Sequence, residues 1–159
     1  MTATMPLRIE VNGRSYERDV EPRWMLADFL REELGLKGTH LSCEHGFCGN
    51  CNVLLDGEAV RSCLMFAIQA QGRSVETVES LASPTGELND LQQAFTEHHG
   101  LQCGFCTPAM LLTAQEFLRD NPGETDDRAI REAISGVICR CTGYQQIVEA
   151  IQSVAARTR

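Results

Sequence analysis

No run of about eighteen apolar residues occurs in this 159-residue chain, so no segment is expected to span a membrane. Its start, MTATMPLRIEV, has no basic n-region, apolar h-region or twin arginine, and a cytoplasmic location is expected. Neither G-x-G-x-x-G nor a P-loop is present, which excludes the common nucleotide-binding fingerprints. Basic residues are few, 14 against 22 acidic, for a formal charge of −8, and they do not cluster into the face that nucleic acid requires. Such acidity reads as a soluble surface, and Arg157 and Arg159 as a solvated helix end. Cysteine, by contrast, is plentiful. Eight thiols in a reducing compartment point to metal ligands or redox groups rather than disulfides.

The periodicity changes halfway along the chain. In the first half Leu7, Ile9 and Val11 alternate with polar residues up to Asn12-Gly13, a hairpin signal. Tyr16 and Val20 continue a second strand. Pro22 suits a first helical turn, followed by Met25, Leu26, Phe29, Leu30 and Leu34 at helical spacing, with Gly35 as the stop. Val53 to Arg61 around Asp56-Gly57 reads as another hairpin and Ser74 to Val78 as a last strand. This order predicts a compact α+β unit. The second half predicts four amphipathic helices forming a small bundle, marked by Leu88, Leu91 and Phe95, by Leu111 to Leu118, by Ile130 to Val137, and by Tyr144 to Val154. Thr107 and Thr142 are the expected N-caps of the second and fourth, with Pro108 in the first turn. Residues 80–86, with Ser83, Pro84 and Gly86, form the natural linker between units at 1–79 and 87–159.

The cysteines divide four and four. The run CEHGFCGNC places Cys43, Cys48 and Cys51 as C-x4-C-x2-C, with Cys63 after eleven further residues; this is plant-type ferredoxin spacing for a [2Fe–2S] cluster. Gly46 and Gly49 allow that loop the positive φ that turns backbone N–H groups toward sulfur. Zinc sites more often pair two C-x2-C knuckles, and unrelated free thiols are the remaining reading. The second set, Cys103 and Cys106, then Cys139 and Cys141 after thirty-two residues, is less specific, and zinc is a fair competitor there. Gly104 supplies the loop backbone. Cys106 and Cys141 each immediately precede an expected N-cap, so two positive helix ends would face the sulfurs.

QCGFCTP at 102–108 and CRCTGY at 139–144, together with the ferredoxin loop, give the chain a close resemblance to the small iron–sulfur subunit of molybdenum hydroxylases, the xanthine oxidase, aldehyde oxidoreductase and carbon monoxide dehydrogenase family. The resemblance implies a β-grasp ferredoxin-like domain followed by a four-helix bundle, each with one [2Fe–2S] cluster. It implies partners carrying molybdopterin cofactor (a large subunit) and FAD (a medium subunit), assembled as a dimer of heterotrimers. Electrons would run from molybdenum through the C-terminal and then the N-terminal cluster to flavin, with Gln102 and Cys141 against the pterin. This chain would be an electron-transfer component without substrate chemistry of its own. Ala109 replaces the family's usual glycine after CTP, and Val137 an asparagine before CRC. Asn50 and Asn52 stand where small or β-branched residues are usual.

Two other functions fit the residues: a zinc-stapled interaction module and a free two-cluster ferredoxin. An obligate subunit needs an apolar docking face, for which Leu64 to Ile68 is the candidate, with plain core as its alternative. His98-His99 reads as a helix-end charge, and with no cysteine to spare His45 has no place as a ligand. Eight thiolates and two oxidised clusters would take the formal charge from −8 to about −12, which demands many N–H donors around sulfur. Elemental analysis is expected to return about four iron and four acid-labile sulfide per chain. Zinc in their place would make the second set a structural staple.

Overall fold

The computed structural model describes residues 3–158, so Met1, Thr2 and Arg159 lie outside the described residues. Strands β1 (Met5–Val11) and β2 (Arg14–Val20) pair antiparallel across Asn12-Gly13, whose φ values of 51° and 73° are those of the expected tight turn. Leu7, Ile9 and Val11 point inward and their neighbours outward, as alternation dictates. A second hairpin, β3 (Asn52–Leu55) and β4 (Glu58–Arg61), closes on Asp56-Gly57. Strand β5 (Ser74–Glu76) lies between the hairpins, parallel to β1 and antiparallel to β3, giving the mixed order β2-β1-β5-β3-β4.

One face of the sheet is covered by α1 (Leu26–Asp28), which widens into a π-helical turn, Phe29–Glu33. Leu26, Phe29 and Leu30 are completely buried there. The helix starts later than expected. Pro22 sits in a turn closed by Trp24 N–H donating to Glu21 O, and Met25 bridges to Phe66 instead of opening the helix. The widening follows from Leu34 N–H donating to Phe29 O, five residues back.

The second half contains α2 (Asp90–Glu97), α3 (Thr107–Asp120), α4 (Asp127–Ile134) and α5 (Gln145–Ala155). Their cap chemistry is local. Asn89 and Gln92 exchange side chain-to-backbone hydrogen bonds as a capping box, and Asp126 accepts from Ala129 N–H at 2.9 Å. Leu91, Phe95, Met110, Leu112, Ile130, Ile134, Ile147 and Ile151 meet in one core, whereas the residues under α1 form another. Leu81, in the irregular segment between β5 and α2, is buried against the helical core. Among the described residues no helix is long and apolar enough to cross a membrane.

Strand β3 belongs to both cores. Its period of two sends Val53 and Leu55 into the sheet's own core and Leu54 into the helical one, while Asn52 Nδ2 donates to Thr113 Oγ1 on α3 at 3.0 Å. All four β3 residues are consequently buried. At the far end of the same hairpin Ala59 N–H donates to Glu116 and Arg119 to Gly57 O. Leu54→Ala is expected to cost about 2–5 kcal/mol and to loosen the helices as well as the sheet, seen as a fall in the thermal midpoint of both far-UV and cluster absorbance.

Candidate metal centres

All eight cysteines are free thiols, and their contacts gather them in two places. In the first, Cys43 is half-buried and Cys48, Cys51 and Cys63 are buried. Gly46 and Gly49 have φ of 80° and 71°, and the loop they permit aims Cys48 N–H at Cys43 Sγ, 3.3 Å away. That N–H, with that of His45, pulls the Cys43 thiol down to about 6. Burial pushes the Cys63 thiol up to about 11, aided by the neighbouring Cys51 sulfur.

The second place repeats the pattern with different donors. Gly104, at φ 80°, turns the Cys103–Cys106 loop, and Phe105 N–H lowers the Cys103 thiol. Cys103 and Cys141 are exposed with their sulfurs 3.4 Å apart, and sharing one proton raises the Cys141 thiol. Cys106 is pushed up to about 12 by burial and by Cys139 beside it. Burial also opposes ionisation of Cys139, but the Thr142 hydroxyl (3.0 Å) and N–H (3.4 Å) outweigh it, and this thiol ends below its ordinary range. Tyr144 Oη accepts Cys139 N–H at 2.9 Å and fixes the ligand's backbone.

Both expected threonine caps are corrected by this arrangement. Cys106 itself caps α3, with Thr107 as the first helical residue and its hydroxyl buried without a partner. Helix α5 starts only at Gln145, after Tyr144 in the left-handed region. Thr142 Oγ1 is engaged instead by Cys139 Sγ and by Tyr144 N–H. One helix N-terminus, that of α3, thus opens directly at a cysteine.

The spacing of the sulfurs bears on the metal. A tetrahedral zinc with Zn–S bonds of about 2.3 Å holds all its sulfurs roughly 3.8 Å apart. Among the described residues, the one trio of His, Cys, Asp or Glu ligand atoms mutually within 4.8 Å is Glu58, Glu116 and Asp120, so no three sulfurs of either set are that close. Sulfurs gathered in pairs fit a two-iron core, with two ligands per iron, better than a single ion. The acidic trio is partnered already: Glu116 accepts from Ala59 N–H and Asp120 from Arg119.

Gln102, like Cys103 and Cys141, is exposed. Of the candidate docking stretch, Leu64 and Phe66 are exposed and Ala67 is fully buried, while Met65 and Ile68 pack partly on the sheet core. That segment is therefore partly exposed and partly core, residue by residue. Ala109 and Val137 are fully buried in the helical core. Nothing in the local sequence pattern singles out Arg61. Yet the two-residue turn at Asp56-Gly57 sets it opposite Asn52, a register readable in advance.

Two family models match the chain, a "2Fe-2S iron-sulfur cluster binding domain" over residues 9–82 and a "[2Fe-2S] binding domain" over 77–152. Fold and sites together thus define an electron-carrying protein with two [2Fe–2S]-binding domains. Caffeine dehydrogenase subunit gamma of Pseudomonas sp. (strain CBB1) is 55% identical over 154 residues, covering 96% of this chain and 92% of that one. The 6-hydroxypseudooxynicotine dehydrogenase complex subunit beta of Paenarthrobacter nicotinovorans is 56% identical over 144 residues, covering 91% and 89%. The crystal structure of quinoline 2-oxidoreductase from Pseudomonas putida 86 superposes with a TM-score of 0.92 at 49% identity, covering 96% of this chain and 93% of the matched one. The chain belongs to the family of small iron–sulfur subunits of molybdenum hydroxylases.

Donor hydrogen bonds to sulfur favour the more negative, reduced cluster. Thr142→Val, which removes one donor at constant shape, is expected to lower the potential of the C-terminal centre by about 59 mV, a tenfold change in its reduced-to-oxidised ratio. Potentiometric EPR should show the N-terminal centre unmoved.

Proposed function

We propose that this chain is the electron relay of a molybdenum hydroxylase in the cytoplasm, with a large molybdopterin subunit and a medium FAD subunit as partners in a dimer of heterotrimers. Cys43, Cys48, Cys51 and Cys63 hold the N-terminal [2Fe–2S] cluster, and Cys103, Cys106, Cys139 and Cys141 the C-terminal one. When bound, these clusters supply one-electron steps that carry reducing equivalents from the molybdenum centre, through the C-terminal and then the N-terminal site, to flavin. The units are a β-grasp domain at 1–79, a linker at 80–86 and a four-helix bundle at 87–159.

The observation that carries the reading is the presence of two four-thiol sets in one chain, joined where Ile138 N–H, beside Cys139, donates to Cys48 O at 2.8 Å. What the protein's own residues contribute is electrostatic and positional. Backbone N–H groups at Cys48, His45 and Phe105, with the Thr142 hydroxyl, stabilise thiolate, so the chain holds ligands rather than shuttles protons. The exposure of Cys103, Cys141 and Gln102 supports contact with the pterin, since a side-chain amide and a ligand sulfur both hydrogen-bond a polar ring edge. Phe47, 71% exposed, and Leu64, whose side chain lies over Gly46, support a docking face for the FAD subunit at the first loop. The names of the three relatives above favour a nitrogen heterocycle as the partner's substrate.

The test is Cys103→Ser or Cys141→Ser in the co-expressed complex. Each is expected to abolish one of two rhombic EPR signals, leave the other, and stop reduction of flavin by substrate. An unchanged two-signal spectrum in either variant would sink the assignment.

A further inference from the structure

The two halves meet along a polar seam, and Arg61 occupies the part of it beside the cysteine loops. Arg61 ends β4, directly opposite Asn52 on β3. Its Nε donates to Gly46 O at 2.9 Å, its Nη1 to Asn52 Oδ1 at 2.8 Å and its Nη2 to Gly136 O at 2.8 Å. Gly46 lies inside the Cys43–Cys48 loop, and Gly136 three residues before Cys139. Asn52 turns its other amide end to Thr113 on α3, the helix that Cys106 caps. One guanidinium therefore touches the backbone of both sets and, through Asn52, the helix of a third ligand.

The packing around it leaves little freedom. A Cβ on Gly49 would fall 2.1 Å from Gly136 O, and one on Gly136 would fall 2.9 Å from Arg61 Nη2. The three partners of the guanidinium are all neutral oxygens, so its charge is not answered by any of them. A half-buried cation with neutral partners is costly alone, and anionic centres held by the two neighbouring cysteine sets would offset that cost.

We propose that Arg61 is a positioning residue for electron transfer between the two centres, locking their separation and lending both the same positive charge. This rests on the cluster assignment above. The step is a single electron passing from the C-terminal to the N-terminal centre, the first oxidised and the second reduced, with no proton moved and no bond broken at Arg61. Arginine fits the role because its planar fork reaches three fixed acceptors, whereas a lysine ammonium carries the charge without the geometry.

The experiment compares Arg61→Gln and Arg61→Lys in the assembled complex by iron and sulfide content, potentiometric EPR of each centre, and the magnetic splitting between the two reduced clusters. Both variants are expected to retain both centres. Arg61→Gln should lower both potentials, each reduced-to-oxidised ratio falling about tenfold at fixed poise, or 59 mV. Arg61→Lys should keep the potentials closer to the parent but change the splitting. Unchanged potentials in Arg61→Gln, or a shift of the N-terminal centre alone, would overturn the proposal by reducing Arg61 to a support of its own loop. If Arg61→Gln loses iron, Arg61→Lys decides, and a splitting identical to the parent's would refute the lock. A parent protein without two [2Fe–2S] signals defeats the cluster assignment itself, before any variant is made.

Discussion

Thiolate held away from water is the constraint on which the rest of this structure depends. Sulfur can carry its charge in a protein interior only where N–H or O–H donors replace solvent. Here the donors come mostly from main chain in tight loops, so the loops need residues that accept positive φ, and Gly46, Gly49 and Gly104 supply them. The donation is uneven. Cys43, with N–H groups aimed at it, ionises readily, whereas burial holds Cys63 near 11 and Cys106 near 12. Thiols raised in this way stay protonated at neutral pH until a metal displaces the proton to solvent, so metal binding there would be pH-dependent.

The second feature is a polar seam between the two halves. Each core is apolar and largely separate, and Leu54 reaches from the sheet into the helices. Around it the join is made by Asn52, Thr113, Arg61, Glu116 and Arg119, with the Ile138–Cys48 main-chain bond at its centre. Apolar faces slide at small cost, but hydrogen bonds of fixed direction do not. A buried network that satisfies both ends of Asn52 specifies one relative placement of the halves. In a chain with two [2Fe–2S]-binding domains, such a seam holds the two in one arrangement.

Sequence reading reached the strands and the cysteine sets because both are written in short-range patterns. Leu7, Ile9 and Val11 alternate, Asn12-Gly13 and Asp56-Gly57 turn, and C-x4-C-x2-C fixes three sulfurs within nine residues. The helix starts were less readable, for a chemical reason. A threonine beside a cysteine looks like a cap, but the sulfur competes for its hydroxyl, and at Thr142 the sulfur and the Tyr144 N–H take it. Pro22 promised a helix that the Glu21–Trp24 turn forestalls. The seam was invisible because its partners are distant in sequence, Arg61 and Gly136 being 75 residues apart. No local pattern marks a contact of that kind.

The two centres are not equivalent, and the difference lies in what covers them. Three of the first four sulfurs are buried, while the second set leaves Cys103 and Cys141 at the surface. Water beside a thiolate stabilises added negative charge, and burial without extra donors penalises it. A centre with two surface sulfurs therefore suits direct contact with another molecule's polar group. The first set lies under its own loop, where Phe47 and Leu64 are the exposed apolar side chains. Between them the chain places main-chain hydrogen bonds and the Arg61 guanidinium, rather than a second apolar wall. A polar interval of this kind would lower the cost of placing two negatively charged centres in one small protein, which an apolar wall would not.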